Sequence, residues 1–168
     1  STQQETLFPY TTLFRSRRAY YYPDLSIRLS EYNPEDGLAL KSEKSTVVYN
    51  GIEDYFLQYQ HLKKNTSEIP TILYVGAIME SKGIFDLLAI AHLLNKRGRK
   101  FRLNIVGKPD SELTEREIRQ FLEQYNLEEK VILAGVKVNE AKWQAFKDAD
   151  IFCFPSHFET FGLVLVEA

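Results

Sequence analysis

The chain has 168 residues, 44% hydrophobic and 26% charged, with a formal net charge of −2 at pH 7, proportions ordinary for a globular α/β domain. That balance offers no basic surface of the kind that selects nucleic acid, and no run approaches the ~18 consecutive apolar residues that span a bilayer. The sole cysteine, Cys153, excludes an intrachain disulfide framework and suits a reducing compartment. Because it lies in an apolar run, it is expected to be a small buried hydrophobe rather than a nucleophile. No secretory-signal pattern is present, and a cytoplasmic location is expected.

Residues 6–16, T-L-F-P-Y-T-T-L-F-R-S, resemble the conceptual translation of a sequencing adapter. Residues 1–16 are therefore expected to be a non-native tail that replaces the true N-terminal part. Residues 17–40 are aromatic and irregular, with Pro23 and Asn33-Pro34 as breakers. The run Tyr20-Tyr21-Tyr22 suits surface or interface packing. From Ser45 the pattern sharpens: Thr46-Val47-Val48-Tyr49 is strand-like, and Asn50-Gly51 signals a turn.

Thr71-Ile72-Leu73-Tyr74-Val75 predicts a strand ending at Gly76. Beyond Lys82-Gly83, Ile84, Leu87, Leu88 and Ala91 follow the i, i+3, i+4, i+7 spacing of an amphipathic helix that stops near Gly98. Lys82 thus stands at a helix N-terminus just past a strand, where its charge adds to an anion site. Residues 101–106, closing at Gly107, predict a third strand. The helix after it carries a capping box at Thr114 and Glu117, an apolar face of Ile118, Phe121, Leu122 and Tyr125, and a wet face over residues 112–119. Val131-Ile132-Leu133-Ala134-Gly135 is a fourth strand, followed by a short helix from Asn139 with Trp143 and Phe146. Residues 151–154 form the last strand, broken at Pro155-Ser156.

Strands and helices alternating at near-regular spacing predict an α/β fold with a Rossmann-like, doubly wound parallel sheet. In a 3-2-1-4-5-6 strand order, the strand ending at Gly76 lies beside the one ending at Phe154. That pair is the topological switch point, off whose carboxyl ends ligands bind. Lys82 lies just past the first strand, and Glu159 with Gly162 just past the second. Two segments distant in sequence therefore converge where this architecture binds ligands.

The terminal stretch adds chemistry to that place. With a helix starting near Phe161, Glu167 lies roughly 8 Å along its axis, at ~1.5 Å per residue, and Glu159 sits in the loop before it. Between them the first amides of the helix lack intrahelical partners and carry the positive end of the dipole. A carboxylate on either side of such an anion site can accept vicinal hydroxyls. A nucleoside diphosphate sugar has that layout.

Pro155, Ser156, Glu159, Phe161, Gly162, Leu163, Glu167 and Ala168 match P-S-x-x-E-G-F-G-L-x-x-x-E-A, with Thr160 in place of a glycine. This resembles the E-x7-E segment of the retaining GT-B glycosyltransferases of family 4, and the resemblance covers residues 45–168. Residues 48–53, V-Y-N-G-I-E, are similar to the V-x-N-G-V-D that opens the family's C-terminal domain, with Glu53 for aspartate. Residues 26–33 resemble the end of its N-terminal domain. Lys82 and Gly83 match the end of V-G-R-x-x-x-x-K-G, but Ala77 stands where that pattern has arginine. Loss of one charge-assisted contact is expected to weaken donor binding by ~1.5–3 kcal/mol unless another group compensates.

The resemblance implies an incomplete C-terminal half of a GT-B fold: residues 1–16 a tail, 17–44 a remnant of the N-terminal domain and crossing, and 45–168 a truncated nucleotide-sugar-binding domain. It implies transfer of a hexosyl unit, with retention, from a UDP- or GDP-linked sugar to a hydroxyl of a glycan, lipid or small molecule held by the missing N-terminal domain. No metal or other cofactor is implied. Glu159 would be the catalytic residue at the donor sugar, Lys82 with Gly83 would grip the diphosphate, and Phe161, Gly162 and Leu163 would form the loop that meets phosphates and sugar. Glu167 would take the ribose hydroxyls. Val136 and Lys137 would edge the base, a solvated loop being the other reading. His157 falls at a position the motif leaves free. Enzymes of this kind often work against the inner membrane face, and the chain alone is expected not to complete a transfer. A sugar-nucleotide epimerase and a non-catalytic nucleotide- or partner-binding module remain as alternatives, the second because of Ala77 and Thr160.

Overall fold

The computed structural model describes residues 25–29, 45–51, 58–159 and 161–168. The adapter-like residues 6–16, the Tyr20-Tyr21-Tyr22 run, Glu53 and Thr160 lie outside the described residues. The chain divides into two compact units, Ser1–Gly51 and Ile52–Ala168. In the first unit β1 (Ser26–Arg28) and β2 (Ser45–Val47) pair in parallel, with Ile27 opposite Thr46. The Val48 amide extends the pairing by donating to the Arg28 carbonyl at 2.8 Å.

The second unit holds a parallel sheet of β3 (Thr71–Val75), β4 (Arg102–Val106), β5 (Val131–Gly135) and β6 (Ile151–Phe152), in the order β5-β4-β3-β6. Its helices are α1 (Ile84–Lys96), α2 (Glu112–Gln124), α3 (Asn139–Asp148) and the short α4 (Leu163–Glu167), with a 3-10 turn, Glu80–Lys82, before α1. Counted within this sheet the order is 3-2-1-4, the first part of the expected one, and β3 pairs with β6 through Ile72–Ile151 and Leu73–Phe152.

Side chains alternate faces along a strand, and β3 divides its own between two layers. Tyr74 joins Ile84, Leu87, Leu88 and Ala91 of α1 and Ile118 and Leu122 of α2 in one buried cluster. Leu73 and Val75 join Val106 in another, against which Ala145 and Phe146 of α3 and Val164 of α4 pack. A near-continuous apolar run is what a parallel strand covered on both faces requires. The apolar face read for α1 is therefore the buried one, and α1 ends at Lys96, ahead of Gly98 in the left-handed region.

Two helix starts differ from expectation. The cap of α2 is Ser111 rather than Thr114: its extended backbone lets its hydroxyl accept from the Thr114 amide at 3.1 Å, and the two hydroxyls lie 2.9 Å apart. Thr114 is thus inside the first turn, where the cap's oxygen satisfies its amide. The last helix begins at Leu163 rather than near Phe161, because Gly162 takes a left-handed conformation, φ +72°, as its N-cap. Glu167 is consequently the final helical residue. The last strand also closes early, at Phe152, although the Cys153 amide still donates to the Leu73 carbonyl at 2.8 Å.

One polar corner locks β6 against β3. Asp150 accepts from the Thr71 amide at 2.9 Å, and its own amide donates to the Thr71 carbonyl at 2.9 Å. Lys64 adds an ion pair to Asp150 at 2.5 Å, and Asp148 accepts from the backbone and side-chain nitrogens of Asn65 at 2.8 and 3.0 Å. The chain entering β3 is thereby tied to the chain leaving α3. At the other end of β3, Gly83 (φ +71°) packs so closely under Pro155 that a Cβ there would lie 1.9 Å from the proline carbonyl oxygen.

Gly83→Ala is accordingly expected to cost roughly 2–4 kcal/mol of unfolding free energy, through clash and left-handed strain. Denaturant midpoints would show it; an unchanged midpoint would mean that the turn and the Pro155 segment do not abut. The corner also makes an acid prediction. Lys64, followed by the Thr71 amide, holds the Asp150 carboxyl below its ordinary value of 3.8. At Asp148 burial opposes ionisation, but the bonds from Asn65 and Gln144 and the charge of Lys137 outweigh it and lower the value from 3.8. Depressed carboxyls stabilise the fold above their unfolded pKa, and that contribution is lost as pH falls through the folded one. Asp150→Asn should therefore lower the denaturant midpoint more at about pH 6 than at about pH 3; an equal loss at both would show that Asp150 contributes nothing through its charge.

Candidate functional site

The carboxyl ends of the four strands open into a cleft with two lobes. The first, about 470 Å³, lies toward the end of β5 and is edged by Val136, Lys137 and Val138, with Lys108 and Trp143 also on its wall. The second, about 360 Å³, lies toward β6 and is lined by Lys82, Phe154, Glu159, Gly162 and Leu163. Val75, Gly76, Ala77, Lys142 and Glu167 line both lobes. Each volume is of the size that holds a small organic ligand.

Most of the residues singled out from the sequence meet here. Lys82, the last residue of the 3-10 turn, bonds Glu159 Oε2 at 2.9 Å and the Phe158 carbonyl at 3.0 Å. Glu167 bonds the ammonium of Lys142, from α3, with both oxygens, at 2.7 and 2.6 Å. Gly162 and Leu163 sit on the wall of the second lobe, and Val136 and Lys137 on that of the first. Gly162 has no room to spare: a Cβ would stand 3.2 Å from Cγ of Glu159 and 3.0 Å from Cδ1 of Leu165. Gly83 and Phe161 line neither lobe. Gly83 is buried beneath Pro155, where it sets the height of the turn that presents Lys82, and Phe161 is half-buried ahead of α4.

Burial, and then the charge of Glu159, push the Tyr74 phenol up to about 12, so its hydroxyl stays a neutral donor and bonds the Ala77 carbonyl at 2.7 Å. That bond holds the turn at which the methyl of Ala77 meets both lobes. His157 is engaged elsewhere: its ring pairs with Asp86 of α1, and its amide donates to the Ser81 carbonyl at 3.0 Å. Among the described residues no group of three or more His, Cys, Asp and Glu is placed to hold a metal ion, and no helix is long and apolar enough to cross a membrane.

Lys142, Trp143 and Lys108 were not among the residues singled out for the site. Trp143 stacks on Tyr59 at 5.9 Å between ring centroids. Nothing local marks Lys142, because its carboxylate partner lies 25 residues further on.

The model of the glycosyl transferases group 1 matches residues 58–168. The chain belongs to this family. Among its relatives, the GDP-mannose:cellobiosyl-diphosphopolyprenol alpha-mannosyltransferase of Xanthomonas oryzae is 30% identical over 122 residues, 73% of this group 1 chain and 31% of the relative. The N-acetylgalactosamine-N,N'-diacetylbacillosaminyl-diphospho-undecaprenol 4-alpha-N-acetylgalactosaminyltransferase of Campylobacter jejuni is 31% identical over 152 residues, 88% of this chain and 40% of the relative. The chain thus spans well under half the length of these relatives. Among solved structures, sucrose-phosphate synthase of Thermosynechococcus elongatus superposes with a TM-score of 0.72 at 22% identity, over 99% of this chain and 43% of that one. HepE of Anabaena, in complex with UDP and glucose, gives 0.75 at 19% identity, over 96% and 46%. These likenesses show the fold, which is that of the GT-B glycosyltransferases, as the sequence led one to expect.

Burial pushes the Cys153 thiol above its ordinary value of 9.0, so its thiolate is scarcer at neutral pH than that of an exposed cysteine. Alkylation by iodoacetamide at about pH 7.5 should run at least about tenfold slower than in the same chain unfolded in denaturant, as followed by intact mass. Equal rates would show that the thiol is open to solvent.

Proposed function

We propose that the cleft binds a nucleoside diphosphate sugar, and that the whole protein transfers the hexosyl unit to a hydroxyl acceptor with retention at the anomeric carbon. The observation that carries this is the pairing of two carboxylates with two lysines along one two-lobed cleft at the switch point of the sheet. Glu167 stands where both lobes meet and suits the vicinal hydroxyls of a ribose, since an ionised carboxylate accepts two hydrogen bonds. Glu159 lies in the second lobe, beside Gly162 and Leu163, and takes the sugar end. There its negative charge stabilises the positive charge that develops at the anomeric carbon. Lys82, already bonded to Glu159, supplies charge to the departing diphosphate, while Val136 and Lys137 border the base.

The names of the relatives favour the donor class and narrow the acceptor. One names GDP-mannose as its donor, and both name sugars carried on a diphosphopolyprenol or diphospho-undecaprenol. A lipid-linked glycan is thus the favoured acceptor. Such an acceptor would draw the whole protein to the inner membrane face.

Thermal melts of the chain with UDP, GDP and ADP in turn test the binding half of this reading. At a concentration about a hundredfold over Kd, the nucleotide that fits should add ~2.7 kcal/mol to the native state and raise the melting midpoint. A cooperative melt that none of them shifts would overturn it. In the full-length protein, Glu159→Ala should abolish transfer and leave the fold intact. Binding with no turnover in the unsubstituted full-length protein would instead identify a non-catalytic nucleotide-binding module.

A further inference from the structure

Resting on the nucleoside diphosphate reading above, we propose that Lys142 is a donor-binding residue that supplies the cation for the diphosphate where the two lobes join. A ligand lying in both lobes must cross the strip of residues they share. Of those five, Val75, Gly76 and Ala77 offer no side-chain charge and Glu167 is an acid, so among the described residues Lys142 is the one cation at the crossing. Lys108 and Lys137 line the first lobe only, and Lys82 the second only. Two phosphates crossing there bring negative charge past Glu167, and a cation within the strip meets that repulsion where it arises, beside the charge that Lys82 supplies from the second lobe. Ala77 cannot meet it, although the sequence pattern places an arginine at that position.

The geometry of Lys142 suits the task. It rises from α3, a helix anchored to the sheet through Ala145 and Phe146, and its ammonium lies 5.5 Å from the centroid of the Trp143 ring. The Lys142 and Glu167 side chains are 23% and 15% exposed, so the pair is largely withdrawn from water and neither charge is comfortable without the other. An ammonium has three donors and no acceptor. Ribose hydroxyls can take over bonds to Glu167 while the same ammonium turns a donor to a phosphate oxygen. The ligand then replaces the ion pair without leaving either charge bare. The ion pair keeps both groups at the place where they are needed.

The test is a calorimetric titration of the chain and of Lys142→Gln, whose amide can still donate to Glu167, with UDP and GDP and with uridine and guanosine. The diphosphate that binds the unsubstituted chain should bind the variant at least about tenfold more weakly, while its nucleoside changes by less than about threefold. Adding Ala77→Arg to the variant should restore most of the lost affinity. If the diphosphate binds the variant as well as the original, or the nucleoside weakens as much as the diphosphate, Lys142 does not serve the phosphates and the inference fails while the cleft reading stands. If the unsubstituted chain binds neither diphosphate, the cleft reading itself fails and takes the inference with it. Should Lys142→Gln not melt cooperatively, Ala77→Arg alone carries the test. With Lys142 already in the role, the arginine should raise diphosphate affinity by less than about threefold, and a gain of about tenfold or more would overturn the proposal.

Discussion

Asp150 accepts from the Thr71 amide and donates its own amide to the Thr71 carbonyl, and the cleft depends on this exchange. It seats β6 on the free edge of β3 rather than beside β5, so the connection through α3 returns across the sheet. The loops after β3 and β6 are then neighbours, and Lys82 and Glu159, 77 positions apart in the chain, stand 2.9 Å from each other. A one-residue slip of β6 would turn its side chains to the opposite faces and move Phe152 out of the cluster it shares with Leu73 and Val75. The polar corner at 64–71 and 148–150 specifies the register that the short strand is too brief to specify by itself.

The cleft above that pairing carries two carboxylate–lysine pairs, Glu159 with Lys82 and Glu167 with Lys142. Each carboxylate has a lysine on it, and both pairs are largely shielded from solvent. Charges withdrawn from water are costly unless paired, so each ion pair holds its two groups in place. The neutral Tyr74 hydroxyl braces the turn at Ala77 and adds no charge of its own. The chain belongs to the glycosyl transferases group 1 family and spans 31% of the length of its mannosyltransferase relative.

Much of this was legible in the residues. The α1 face Ile84, Leu87, Leu88, Ala91, the strand bounds at 71–75 and 131–135, the start of α3 at Asn139 and the adjacency of β3 and β6 all follow from periodicity, turn residues and the rules of parallel sheets. The misread starts were boundary choices between competing caps. Ser111 and Thr114 can both accept a backbone hydrogen bond, and only the extended backbone at Ser111 decides between them. Gly162 can continue a loop or end it, and its left-handed conformation delays α4 to Leu163.

What the sequence determined by itself was therefore the alternation of buried and exposed faces, the order of the elements and the family to which the chain belongs, because each is written in local spacing and residue type. What the tertiary structure alone decided was which charges meet. The strand order brought Lys82 and Glu159 to one place but not their bond, and nothing along the chain relates Lys142 to Glu167. Their partners are set only when the sheet has brought its strand ends together. An ion pair depends on distance in space, and distance in space is what folding adds to a sequence.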